Sequence, residues 1–301
     1  MNRFACAVVG ILLGTMATAV SAATWRSEGP ALAAISSISV DPAQPDTVYA
    51  AAGNGGVWRS DDGGKTWALP GDAMVNRNVR WIEADPKAPG TVWAGTDVTG
   101  SPALWRTTDR GKTWAIVRVD ATGYAVGQRV AFSAADRTVY VPSTNLHYRT
   151  SDGGKTWESF RVPGQDAYAF AIDPKNPKIV YGGGRGTDHN LSRSQDGGKT
   201  WKPFGEGLAP QSSIKRLVVV PGTPSTLYAI HGFGRVHQST DGGANWTELE
   251  IGTHGTDELY DFAVDPNDPQ VLLAATKNGL RRSRNAGASF SSVGELSLIH
   301  I

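Results

Sequence analysis

The sequence predicts an all-β chain folded as a propeller of four-stranded antiparallel blades, and three observations predict it. One short turn motif recurs six times, every repeat divides into the same short strands, and the chain is rich in glycine and tryptophan. The motif copies run Ser60 to Trp67, Thr107 to Trp114, Thr150 to Trp157, Ser194 to Trp201, Ser239 to Trp246 and Ser283 to Phe290. Their third residues, Asp62, Asp109, Asp152, Asp196, Asp241 and Asn285, stand 47, 43, 44, 45 and 44 residues apart. That period matches four short strands with their turns. The 36 glycines suit tight turns and the ten tryptophans supply large faces to bury.

The first repeat shows the pieces most clearly. A strand from Ile35 to Val40 meets the turn Asp41-Pro42, a second strand runs from Thr47 to Ala52, a third from Val57 to Ser60 leads into the motif, and a fourth is expected after Trp67. Proline fixes φ where the chain must leave a strand, and the Asp-Pro turn returns at Asp85-Pro86, Asp173-Pro174 and Asp265-Pro266. Second strands such as Thr91-Val92-Trp93, Ile179-Val180-Tyr181 and Thr226-Leu227-Tyr228 are β-branched and aromatic, as a sheet covered on both faces requires.

The motif reads as the hairpin between third and fourth strands. Its opening hydroxyl (Ser60, Thr107, Thr150, Ser194, Ser239, Ser283) and its Asp can bind turn amides, while Gly64, Gly111, Gly154, Gly198, Gly243 and Gly287 can take positive φ. Thr66, Thr113, Thr156 and Thr200 can close the loop, and Trp67, Trp114, Trp157, Trp201, Trp246 and Phe290 offer faces to pack between blades. A calcium loop would need more carboxylates than the one or two in each copy, so no metal is expected.

The pattern Ser/Thr-x-Asp-x-Gly-x-Thr-Trp resembles the Asp-box, or BNR repeat, of bacterial sialidases, xyloglucanases, sortilin-type receptors and photosystem II assembly factors. The resemblance covers almost the whole chain after residue 22 and implies the fold, but it spans binding modules and glycoside hydrolases alike. A sialidase would bring three arginines, a Tyr nucleophile with a Glu partner and an Asp acid. Its Arg-Ile-Pro signature is missing ahead of the first box, and Arg161-Val162-Pro163 follows the third box instead. A xyloglucanase would need two carboxylates facing each other across a cleft. Asp97 and Asp188 in the two longest loops, and Glu258 beside Tyr260, are the catalytic candidates on this reading. Trp25 precedes Asp41 by the 16 residues that separate Trp157 from Asp173, so Trp25 to Pro30 reads as an additional fourth strand. The full-length protein is therefore expected to hold seven blades.

Residues 1–22 have a charged start, an apolar run and a small-residue exit, the pattern of a secretory signal, so the mature chain is expected in the periplasm or outside the cell. Residues 23–295 form the propeller, and residues 296–301 match one reading frame of a transposon-end sequencing adapter and are read as an artefact. Cys6 is the one cysteine and lies in the signal, which excludes a disulfide framework. Loss of Arg3 with the signal leaves 28 basic against 28 acidic residues, a balance unsuited to nucleic acid. No membrane span, cofactor or oligomer is expected, and no nucleophile-elbow or zinc motif occurs. Gly182 to Gly186 reads as a flexible blade loop.

Antiparallel order places the Asp-Pro turns and the boxes on one face. The opposite face carries the connections of variable length: from second-strand aromatic (Leu272 in the sixth repeat) to box these are 11, 14, 10, 13, 11 and 11 residues. Arg80, Asp97, Arg185, Asp188, His189, Arg216, His231, Arg235, Tyr260 and Asp261 are the candidate ligand residues of that face. The expected role is a binding or assembly module for a protein or glycan, with a glycoside hydrolase as the alternative.

Overall fold

A computed structural model describes residues 35–71, 74, 77–96, 103–119, 129–133, 135–143, 146–186, 189–208, 213–220, 225–231, 234–252, 259–265 and 267–293. Its strands form six consecutive antiparallel sheets, each paired in chain order as a meander. The first blade holds β1 (Ile35–Asp41), β2 (Gln44–Ala52) and β3 (Gly56–Ser60). The second holds β4 (Val79–Ala84), β5 (Val92–Thr96), β6 (Ala103–Thr107) and β7 (Ala115–Val119), and the third β8 (Ala131–Phe132), β9 (Val139–Val141), β10 (His147–Thr150) and β11 (Glu158–Phe160). The fourth comprises β12 (Gln165–Ile172), β13 (Val180–Gly186), β14 (Leu191–Ser194) and β15 (Lys202–Pro203). The fifth comprises β16 (Ile214–Val220), β17 (Thr226–His231), β18 (Val236–Ser239) and β19 (Thr247–Glu248), and the sixth β20 (Leu259–Val264), β21 (Leu272–Thr276), β22 (Gly279–Ser283) and β23 (Ser291–Ser292).

The fourth strand expected after Trp67 shrinks to a single bridge, with the Arg59 and Ala68 amides donating to each other's carbonyls at 2.8 and 2.9 Å. Pro70 is the cause, because it brings no N–H at the position where the Phe204 amide of the fourth blade donates to the Leu191 carbonyl at 3.0 Å. The chain instead leaves the sheet to lie on the second blade's box. A Cβ on Gly111 would stand 3.1 Å from the Pro70 ring, and one on Gly71 only 2.3 Å from the Lys112 carbonyl oxygen.

Each box is a closed hydrogen-bonded turn. In the fourth blade the Gly198 amide donates to Ser194 Oγ at 2.8 Å, Ser194 Oγ donates to Asp196 at 2.7 Å, and the Thr200 amide and hydroxyl both donate to Asp196, at 2.9 and 2.6 Å. Trp201 Nε1 caps the Gly198 carbonyl at 3.1 Å. Gly198 takes φ +82°, where an L side chain is strained. The same pattern holds around Asp62 and Asp109. At Asp152 the Thr156 amide and hydroxyl donate likewise. In the fifth blade Asn245 replaces the threonine and its Nδ2 donates to Asp241 at 2.8 Å. The worn sixth copy keeps the turn with neutral groups, the Ser289 amide and the Asn285 amide side chain completing it. The hydroxyls of Thr66, Thr156 and Thr200 hold Asp62, Asp152 and Asp196 well below the usual carboxylate range. Asp109 is lowered to about 2, chiefly by the Thr113 hydroxyl.

Box and Asp-Pro turn lie together on one face. The amides of Gly63, Arg110, Gly197, Gly242 and Ala286 donate to the carbonyls of Asp46, Gly90, Lys178, Ser225 and Gln270, just ahead of the second strands. The turns themselves are closed by Asp41, Asp85, Asp173 and Asp265, each accepting from the amide two residues on at 2.9 Å.

Five hydrophobic clusters fill the five junctions between consecutive blades. Each blade sends its second-strand aromatic forward: Tyr49, Trp93, Tyr140, Tyr181 and Tyr228 are all at most 3 % exposed. Each next blade sends back a first-strand side chain, Ile82, Val130, Phe170, Leu217 or Phe262. Every such fully buried side chain is worth about 1.5–3 kcal/mol. The Tyr140 and Tyr181 hydroxyls also donate to box carbonyls of the following blade, Gly197 and Gly242. Register puts Leu273, not Leu272, at the aromatic position of the sixth blade. Leu273 and its counterpart Ile38 on the first blade are both only half-buried, and none of the five clusters joins the sixth blade to the first.

Candidate functional site

The first strands of all six blades line one central cavity of about 670 Å³. Five of these strands carry a β-bulge at the same level, near the end that faces away from the boxes. The extra residues, skipped by the strand register, are Ser36, Arg80, Tyr168, Lys215 and Tyr260. A bulge bends its strand and re-aims a side chain, so a repeated bulge delivers one variable side chain per blade to the cavity mouth. All five border the cavity.

The glycines of β13 make the bulge of the fourth blade possible. A Cβ on Gly184 would lie 1.7 Å from the Asp166 carbonyl oxygen, and one on Gly183 2.7 Å from Ile214 in the next blade. Gly182 to Gly186 thus belongs to a paired strand, which corrects the expectation of a flexible loop.

One level below the bulges, Arg129, Arg216 and Asp261 come from the third, fifth and sixth blades. Asp261 is the hub: Arg216 Nη1 pairs with its Oδ1 in a short contact, the Phe262 amide donates to the same oxygen at 2.8 Å, and Arg129 stands 3.8 Å from Oδ2. Arg129 also faces Glu83 Oε2 at 3.8 Å. Glu83 lies one layer deeper, where register puts Ser39, Ala131, Ala171, Val218 and Ala263 in the other blades. Its side chain is 30 % exposed as a whole, yet Oε2 is sealed from solvent and accepts no hydrogen bond. Burial raises its proton affinity above the ordinary value of 4.5, against the opposing pull of Arg129 and Arg216.

A raised carboxyl favours the protonated form in the folded state, so its stabilising contribution is full below pH 4.5 and is lost as the pH rises through the folded value. Glu83→Gln is expected to remove that loss, giving a melting temperature less sensitive to pH between weakly acidic and neutral conditions than the parent's. Identical slopes in both proteins would show that Arg129 compensates the charge fully.

The sequence-derived candidates separate into groups. Arg80, Arg216, His231, Tyr260 and Asp261 border the cavity. Arg185 ends the inner hairpin of the fourth blade opposite Asp166. His189 packs over Gly164, where an added Cβ would come within 2.9 Å of its ring, and Arg235 is turned outward, 3.6 Å from Glu248. His231 is buried and meets His237 edge-on at 4.7 Å. Asp97, Asp188, Glu258 and the segment Trp25 to Pro30 lie outside the described residues. Glu83 went unnoticed among the candidates, although aligning the repeats on their Asp-Pro turns exposes it: two residues before the Asp stand Ser39, Ala171 and Ala263, and in one repeat a charge. Among the described residues no group of three His, Cys, Asp or Glu side chains could hold a metal ion, and no helix is long and apolar enough to cross a membrane.

The chain is a β-propeller built on Asp-box repeats. Residues 58–69 match the BNR/Asp-box repeat model. Among solved structures the chain is similar to the GH74 enzyme of Niastella koreensis, at 19 % identity and TM-score 0.69, over 85 % of this chain and 44 % of that one. It is also similar to the GH74 xyloglucanase of Xanthomonas campestris, at 18 % identity and TM-score 0.68, over 88 % of this chain and 45 % of that one. A third likeness is to YCF48 bound to a D1 peptide, at 18 % identity and TM-score 0.60, over 88 % of this chain and 82 % of that one. At these identities the likeness is one of fold, and the chain spans less than half the length of the GH74 enzymes. No curated protein sequence matches it.

Proposed function

We propose that the protein is an exported binding or assembly module that grips a protein segment or glycan at the cavity mouth, on the face opposite the boxes. The repeated bulge carries this reading, because it sets one side chain of variable type on each of five blades around one opening while the blades stay alike. Export rests on the signal pattern of residues 1–22. A complete ring of seven blades is supported by the half-buried flanks at Ile38 and Leu273, each shaped like a side that meets another blade elsewhere in the molecule. The chain acts as a monomer on this reading.

The test is an array of glycans and peptides probed with the parent and two variants. Arg80→Ala/Tyr168→Ala/Tyr260→Ala is expected to weaken the best ligand more than tenfold, whereas Lys65→Ala/Lys155→Ala on the box face leaves it unchanged. Binding retained by the mouth variant, or lost in the box-face variant, would refute the assignment.

One observation favours the hydrolase reading as second. Two carboxylates, Glu83 and Asp261, approach Arg129 from different blades, and Glu83, whose proton affinity burial raises, would suit a general acid. Fold similarity to a xyloglucanase adds support. Release of reducing sugar from xyloglucan, abolished by Glu83→Gln, would put this reading first.

A further inference from the structure

Resting on the mouth as the binding surface, we infer that it takes an acidic glycan and holds a uronate carboxylate at Lys215, between the faces of Tyr168 and Tyr260. These three are the bulge residues of the fourth, fifth and sixth blades, so a cation stands between two aromatic residues on consecutive blades. Lys215 Nζ lies 4.4 Å from the Tyr168 ring centroid, and Tyr260 is 43 % exposed.

The electrostatics argue for an anion. Arg185, on the hairpin next to Lys215, is near enough to act on its charge, and partial burial together with that guanidinium lowers the lysine's proton affinity. Among the described residues no carboxylate lies at ion-pair distance from either cation, whereas Arg129 and Arg216 in the same cavity face Glu83 and Asp261. Two like charges held together weaken each other, and an arriving anion relieves both.

The flanking groups decide the class of ligand. Aromatic faces beside a cation suit sugar rings, whose apolar faces stack while their carboxylates meet the charge. An acidic peptide meets the same cations but offers no sugar ring face to lie on Tyr168 and Tyr260.

Calorimetric titration of the full chain with tetragalacturonate, its methyl ester and hexaglutamate tests the inference. Tetragalacturonate is expected to bind, less tightly as salt rises, with affinity about tenfold lower for the ester and for Lys215→Gln or Arg185→Gln. Lys199→Gln on the opposite face should match the parent. The ester arm needs no variant and so is unaffected by any folding defect. Absence of tetragalacturonate binding, equal affinity for the ester, parent affinity in Lys215→Gln, or tighter binding of hexaglutamate would each overturn the inference. A neutral xyloglucan oligosaccharide that binds the parent but not the Arg80/Tyr168/Tyr260 variant would leave the binding surface standing and remove only its acidic specificity.

Discussion

Among the described glycines, Gly184→Ala is expected to be the most damaging alanine substitution, lowering stability by about 3 kcal/mol or more. The new carbon would be placed 1.7 Å from the Asp166 carbonyl oxygen and 2.6 Å from the Ala167 Cα. Both are backbone atoms, so no change of rotamer relieves the clash. The bulge at Tyr168 would have to unbend, and the tyrosine would leave the cavity mouth with it. Gly197→Ala is the control: its φ of +72° carries strain, but the nearest atom to the added carbon is the Tyr140 hydroxyl, 4.0 Å away. A cost of about 1–2 kcal/mol is expected there. Urea unfolding of both proteins checks the contrast. Equal small losses would mean that β12 and β13 are not held as closely as their register requires.

Asp261→Asn is expected to cost about 2 kcal/mol, because one carboxylate serves Arg216, a backbone amide and the approach of Arg129. Asparagine can still accept from the Phe262 amide, so the loss reports the charge and not the fold of β20. A double-mutant cycle with Arg216→Gln isolates the pair. With Asp261 only 15 % exposed, a coupling above about 1 kcal/mol is expected, beyond the range of surface pairs. A coupling near zero would show that water screens the cavity and that the four charges are independent.

Much of the architecture was legible because it is periodic. The spacing of Asp62, Asp109, Asp152, Asp196 and Asp241 set the blade length, and the Asp-Pro turns fixed where first strands end. What repeats by local chemistry, such as the hydroxyl, carboxylate and glycine of a box, can be read from eight residues. The shortened fourth strand of the first blade was not read, although Pro70 stood in plain view, since the pairing it abolishes depends on register with β3. The bulges escaped for a related reason: an extra residue in a strand leaves no mark in a sequence whose loops vary anyway. The convergence of Glu83, Arg129, Arg216 and Asp261 was out of reach, because it joins four repeats through space. Of these, only Glu83 breaks the pattern of its repeat position strongly enough to be found by alignment of the chain with itself.

The distribution of cores has a mechanical consequence. Among the described residues five buried junctions link the six blades, so each of the second to fifth blades is gripped on two sides and the first and sixth on one. The cationic mouth at Tyr168 and Lys215 spans the fourth and fifth blades, and Tyr260 stands on the sixth. A ligand spanning the three residues would tie three blades together, and so raise the stability of the fold as it binds.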